Sequence, residues 1–139
     1  MLKKDYIIRL TEEFGKFLSV LMGLRKKGEW KEFERVLNEL VSKFTGTEIE
    51  WVETLENENF LKNLSEKYNL SGEKLKILAD LLYEKGMAFS NQNNEINSAN
   101  CLYKAYLIYL HLKNSALDSD FSLDMHYKIN LLNTIQRIK

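Results

Sequence analysis

Two short stretches decide the fold: Gly28-Glu29-Trp30-Lys31-Glu32-Phe33 and Asn94-Glu95-Ile96-Asn97-Ser98-Ala99. Each joins two runs in which apolar residues recur at spacings of three and four, the pattern of one buried helix face. The chain contains no proline, so no residue in it forces a helix to break. The sequence therefore predicts an all-α fold of antiparallel helical hairpins, stacked as a short solenoid or a bundle.

Working outward from the first turn, the apolar spacing predicts a helix over 6–24, with Asp5 as its N-cap, and a second over 30–44. Gly46 is expected to end the second helix because glycine accepts the left-handed conformation that closes helices. Thr47-Glu48-Ile49-Glu50 has the form of a capping box and predicts the start of a short acidic helix.

Four further helices bring the expected number to about seven. One is expected over 58–68 with Asn57 as its cap, and a longer one starts at Ser71 and leads into the second turn. The last two are expected over 96–113 and 119–138.

Size and composition favour one domain covering 1–139. Twenty basic and twenty acidic residues cancel, so the chain lacks the basic footprint of a nucleic-acid binder. The single Cys101 allows no internal disulfide, which fits a reducing cytoplasm. No apolar run reaches signal-peptide or membrane-span length, so neither export nor membrane insertion is expected.

At these residues the hairpins resemble tetratricopeptide repeats. Gly28, Glu29 and Trp30 occupy the family's turn, whereas Phe33 stands where the family has a small residue and Leu21 replaces a glycine of the first helix. The matching positions of the second hairpin are Gly86, Phe89, Ile96, Ala99 and Tyr103.

Two parts of the chain qualify this resemblance. The stretch 47–69 does not follow the pattern, so a middle repeat is degenerate or replaced. The stretches 5–10, 23–26 and 81–86 are also similar to a bacterial family of uncharacterised small helical proteins, which implies no function.

The tetratricopeptide resemblance implies that the first helix of each pair lines a concave groove, where aromatic, Met and Arg side chains are suited to grip a peptide or a helix. The residues expected to line this groove and bind a partner are Leu18, Met22, Arg25, Lys26, Tyr83, Met87 and Ser90.

The candidate chemical sites each have a simpler explanation. His111 and His126 lack the spacing of a zinc site. Residues 118–124 begin like a calcium loop, but Leu123 replaces its glycine and Ile129 its bidentate glutamate. Cys101 is expected to be a buried, inert thiol. No catalytic residue, metal or cofactor is therefore predicted.

The sequence leaves three classes of function open. The first is a non-enzymatic, cytoplasmic adaptor that binds a peptide or helix of another protein. The second is a structural homodimer that completes its core through the first or the last helix. The third is a small helical enzyme or a nucleic-acid accessory factor, for which the chain shows neither a polar catalytic cluster nor a basic stripe.

Overall fold

A computed structural model describes the backbone of residues 2–115 and 123–138 and the side chains of 4–115 and 125–134. These residues form seven helices and no strand, which confirms the all-α prediction. The helices are α1 (Leu2–Lys27), α2 (Trp30–Thr45), α3 (Ile49–Thr54), α4 (Phe60–Lys67), α5 (Gly72–Asn91), α6 (Glu95–Ser115) and α7 (Leu123–Ile138). Within the described ranges, every helix falls short of the length or apolarity that a bilayer span requires.

Both predicted turns join helices as expected. Between α1 and α2, Gly28 has a φ of 72°, which glycine adopts without the clash that a Cβ would cause. The Glu29 N–H donates to the Leu24 carbonyl at 3.0 Å and closes the end of α1. Between α5 and α6, the Asn94 N–H donates to the Phe89 carbonyl at 2.8 Å.

Two of the predicted helix ends are confirmed. Gly46 has a φ of 72° and its N–H donates to the Ser42 carbonyl, which ends α2. The Ser71 hydroxyl accepts from the Lys74 N–H at 3.3 Å and caps α5.

Three other predicted capping residues are wrong. Helix α1 already begins at Leu2, so Asp5 lies in its first turn rather than at the cap. The Thr47 hydroxyl pairs with the Thr45 hydroxyl at 2.7 Å instead of capping α3, which has no side-chain cap. Helix α4 follows Asn59, and Asn57 instead accepts a hydrogen bond from Lys104. In the last case, a contact made across the fold, from α6, replaces the local capping bond.

Helix α5 lies at the centre of the molecule. It forms a hairpin with α6 and also packs on α1 and α2, while α7 packs on α6. The α5–α6 contact is closest at Gly86, where an added Cβ would lie 2.7 Å from Cγ and Cδ2 of Leu102.

Every residue from Ile77 to Gly86 is buried, including three charged ones. Each of these charges forms an ion pair with a different helix. Asp80 binds Lys128 of α7 at 3.2 Å, Glu84 binds Arg25 of α1 at 2.9 Å, and Lys85 binds Glu53 of α3 at 2.6 Å. Because an unpaired buried charge is costly, these contacts link the placement of three helices to α5.

Candidate functional site: the cleft between α1 and α5

A cavity of about 880 Å³ opens between the amino-terminal halves of α1 and α5 and reaches the end of α6 and the start of α7. Its size lies within the range of ligand-binding clefts. The apolar side chains among the described residues that line it are Ile7, Ile8, Phe14, Ile77, Leu112 and Met125. The polar side chains among them are Lys4, Thr11, Glu73, Lys76, Asp80 and Ser115.

Helix α1 carries two apolar faces. The first, which includes Phe14 and Leu21, is buried in the core. The second, here called the α1 stripe, follows spacings of four, three, four, three, four and four, so its members share one side of the helix. The α1 stripe consists of Lys4, Ile8, Thr11, Gly15, Leu18, Met22 and Lys26.

The α1 stripe is largely open to solvent. Ile8 and Thr11 line the cavity and are exposed, and Leu18 and Met22 continue the stripe as half-buried residues. Gly15 lies between these pairs, and outside the surrounding backbone of α1 no heavy atom lies within 4 Å of the position its Cβ would occupy. The helix backbone is therefore accessible at this notch. Such a surface can accept the large side chain of another helix, as a hole accepts a knob in coiled-coil packing.

The opposite wall is the α5 stripe, defined as Lys76, Asp80, Tyr83, Met87 and Ser90, whose spacings are four, three, four and three. Lys76 and Asp80 line the cavity, and Met87 and Ser90 are half-buried.

The middle of the α5 stripe is covered by α7. Lys128 places its ammonium 5.0 Å from the centre of the Tyr83 ring and 3.2 Å from Asp80. Asp80 also accepts from the Lys76 ammonium at 2.9 Å and from the Tyr109 hydroxyl. Tyr83 is only 8% exposed, and burial raises the pKa of its phenol against the opposing effect of Lys128. Its ring therefore packs under α7 rather than facing an open groove.

Arg25 closes the other end of the cleft. Its guanidinium donates to Glu84 at 2.9 Å and to the side-chain oxygen of Asn91 at 3.3 Å. The first residues of α1 line the cavity beside the start of α5, and Arg25, near the end of α1, contacts the second half of α5. The two helices therefore run parallel. Arg25 thus joins the two helices, whereas Lys26 beside it is exposed.

The structure therefore divides the seven groove residues predicted from sequence. Leu18, Met22 and Lys26 lie together on the α1 stripe. Arg25 and Tyr83 are engaged within the fold by Glu84 and Lys128, while Met87 and Ser90 lie half-buried on α5. The assignment of these residues to partner binding stays a prediction.

Sequence reasoning missed the amino-terminal part of the cleft. Lys4, Ile8, Thr11 and Gly15 continue the spacing of Leu18 and Met22 toward the start of α1. The α1 stripe could therefore have been predicted from residue spacing. A search for apolar residues alone does not find it, because two of its members, Thr11 and Gly15, are small and not strongly apolar.

A second polar cluster lies on the far side of α5. The Cys101 thiol donates to Oε1 of Glu53 at 3.4 Å, and burial raises the pKa of this thiol. Lys104 donates to Asn57 at 2.8 Å and to Asn100 at 2.7 Å, and burial lowers the pKa of its ammonium. Because Cys101 and Lys104 are buried, the cluster joins α3, α6 and the segment before α4 and offers no reactive surface.

The remaining candidate residues do not form a site. His111 on α6 and His126 on α7 are both exposed. Within the described side chains, no group of three His, Cys, Asp or Glu is placed to hold a metal ion. The calcium-like segment 118–124 lies outside the described side chains.

Comparison of the chain with protein-family models, curated proteins and solved structures gives no match. The site is therefore interpreted from its own geometry.

Proposed function

We propose that this chain is a non-enzymatic, cytoplasmic interaction domain that binds a peptide or helix of another protein in the cleft between α1 and α5. The observation that carries the proposal is the continuity of the cavity with the exposed α1 stripe. From Lys4 to Met22 the stripe is about 27 Å long, at 1.5 Å per residue. On α1 the cavity itself is lined from Lys4 to Phe14. A partner that fills the cavity and continues along the stripe matches an amphipathic helix better than a small metabolite.

The chemistry of the cleft supports binding rather than catalysis. Asp80, the buried carboxylate in its wall, already accepts from Lys76, Lys128 and Tyr109. Its charge therefore stabilises the fold. The equal numbers of acidic and basic residues support a protein partner rather than a nucleic acid.

Self-association is the second candidate, and it rests on a different side of α1. Phe17 and Val20 are 37% and 55% exposed. The Phe17 ring packs beside Phe44 of α2, with the two ring centres 6.0 Å apart. A second copy covering this patch would make the chain a homodimer. A monomeric mass in sedimentation at high protein concentration would contradict it.

The test of the interaction domain uses two matched variants, Gly15→Leu and Gly23→Leu. Neither glycine has an atom within 4 Å of its Cβ position, so both variants should keep the fold. The leucine at Gly15 fills the notch of the α1 stripe, whereas Gly23 lies outside the stripe.

The tagged wild type and both variants would be used to capture partners from the native host, and hydrogen exchange would map the protection of α1 in the purified complex. We expect a partner that the wild type and Gly23→Leu retain and that Gly15→Leu loses. In the complex, this partner should slow hydrogen exchange at the amides of the α1 stripe. Equal retention by all three proteins, or protection confined to other helices, would contradict the proposal.

A further inference from the structure

The α1 stripe has a charge pattern that restricts its occupant. Lys4 and Lys26 stand at its two ends, about 33 Å apart along the helix at 1.5 Å per residue. Both are exposed. Over the side chains that the structure describes, no carboxylate pairs with either lysine. The five stripe residues between them are all uncharged.

This pattern disfavours a second copy of the chain as the occupant. In an antiparallel pairing centred on Gly15, Lys4 would face Lys26 of the other copy at both ends. In a parallel pairing each lysine would face its own equivalent. Both full-length arrangements place like charges opposite each other, which weakens helix pairing.

The other basic side chains near the α1 stripe either pair with a carboxylate or lie on another side of α1. Lys43 of α2 already pairs with Glu13, on a different side of α1. Arg25, next to Lys26, is neutralised by Glu84. The unneutralised cations of the stripe are thus its two terminal lysines.

We propose that the α1 stripe binds an amphipathic helix of another protein whose contact face is apolar in the middle and carries a carboxylate at each end. The apolar side chains pack on Ile8, Leu18 and Met22, and one large side chain enters the notch at Gly15. The two carboxylates pair with Lys4 and Lys26. This inference rests on the proposed function and adds the chemistry of the partner.

The test uses two synthetic helical peptides of about 23 residues, the length from Lys4 to Lys26. Both carry leucines with the spacing of the α1 stripe. One has glutamate at both ends of its leucine stripe, and the other has lysine there. Binding to fluorescently labelled peptide is measured at low salt for the wild type, for the double variant Lys4→Glu/Lys26→Glu, and for Gly15→Leu.

We expect the wild type to bind the glutamate-ended peptide about 10-fold more tightly than the lysine-ended one, because two attractive pairs replace two repulsive ones. The double variant should reverse this preference, and Gly15→Leu should bind neither peptide. Circular dichroism at 222 nm establishes that each variant keeps the wild-type helix content.

Two failures are distinguishable. If the wild type binds both peptides equally and Gly15→Leu abolishes both, the cleft binds helices but the acidic-partner inference is overturned. If the wild type binds neither peptide, the α1 stripe is not a helix-docking surface, and the inference and the proposed site both fall.

Discussion

Replacing Gly86 by alanine tests the closest helix contact in the fold. The added Cβ would lie 2.7 Å from Cγ and Cδ2 of Leu102 and 3.3 Å from Cβ of Cys101. For these atoms to reach ordinary contact at 3.4 Å, they must move about 0.7 Å further from the new Cβ. Neither Cγ of Leu102 nor Cβ of Cys101 lies at the free end of a flexible side chain, so α6 must shift relative to α5.

The two opposing effects of this substitution differ in size. Overpacking of a core costs about 1–3 kcal/mol, whereas alanine stabilises a helix by about 1 kcal/mol relative to glycine. Because the obstructing atoms are close to the backbone, we take the upper part of the first range. The expected net loss is about 1–2 kcal/mol, which lowers the melting temperature of a chain of this size by about 3–7 °C.

Thermal unfolding followed by circular dichroism measures this effect, with Gly23→Ala as the control. No atom lies within 4 Å of the Cβ position at Gly23, so the control should gain about 0.5–1 kcal/mol and melt higher. A Gly86→Ala protein that melts as high as the control would refute the close α5–α6 contact. Leu102→Ala should lower the free energy of unfolding less in the Gly86→Ala protein than in the wild type. The alanine methyl group at position 86 occupies part of the space that the Leu102 side chain leaves.

Three other predictions concern buried polar groups. Arg25→Ala should lower the free energy of unfolding by about 3 kcal/mol in urea denaturation, because it leaves the buried Glu84 carboxylate unpaired. Arg35→Ala, which removes a surface ion pair, should lower it far less. The Cys101 thiol should react with a disulfide reagent only as fast as the protein opens, because it is buried and its pKa is raised. Burial lowers the pKa of the Lys104 ammonium in the folded state, so the unfolded chain binds this proton more tightly. The wild type should therefore gain stability relative to Lys104→Met as the pH rises toward the ordinary pKa of lysine.

Each of these predictions has a contradicting outcome. Equal losses for the two arginine variants would mean that burial of the Arg25 pair contributes nothing. Labelling of Cys101 at the rate of an unfolded peptide, under native conditions, would place the thiol at the surface. A stability difference between the wild type and Lys104→Met that stays constant with pH would mean that burial does not perturb this ammonium.

The regular part of the fold could be predicted from the sequence because helix spacing is a local property. The second helix was expected over 30–44 and spans Trp30–Thr45, and both turns join the expected helices. The capping error at Asn57 has a non-local cause. Asn57 has the chemistry of a helix cap, but Lys104 offers it an alternative hydrogen bond that only the folded chain brings near. Thr47 instead pairs with Thr45, two residues before it in the sequence.

The candidate site was only partly predictable. The spacing of Leu18 and Met22 placed them on one face, but the burial of Tyr83 depends on Lys128, which lies 45 residues further along the chain. The burial of the three charges of α5 has one sign in the sequence, since the run Leu81-Leu82-Tyr83 leaves the helix without a continuous polar face. That run was the available sign that neighbours surround α5 on all sides.

Two of the ion pairs of α5 also have a consequence for evolution. A substitution that removes the charge of Arg25 leaves the buried carboxylate of Glu84 without its cation, and the reverse change leaves the guanidinium without its carboxylate, so neither step is neutral alone. The same holds for Lys85 with Glu53. In a set of related sequences, the two members of each pair should therefore change together or not at all, while the apolar neighbours of α5 exchange one hydrophobic residue for another independently.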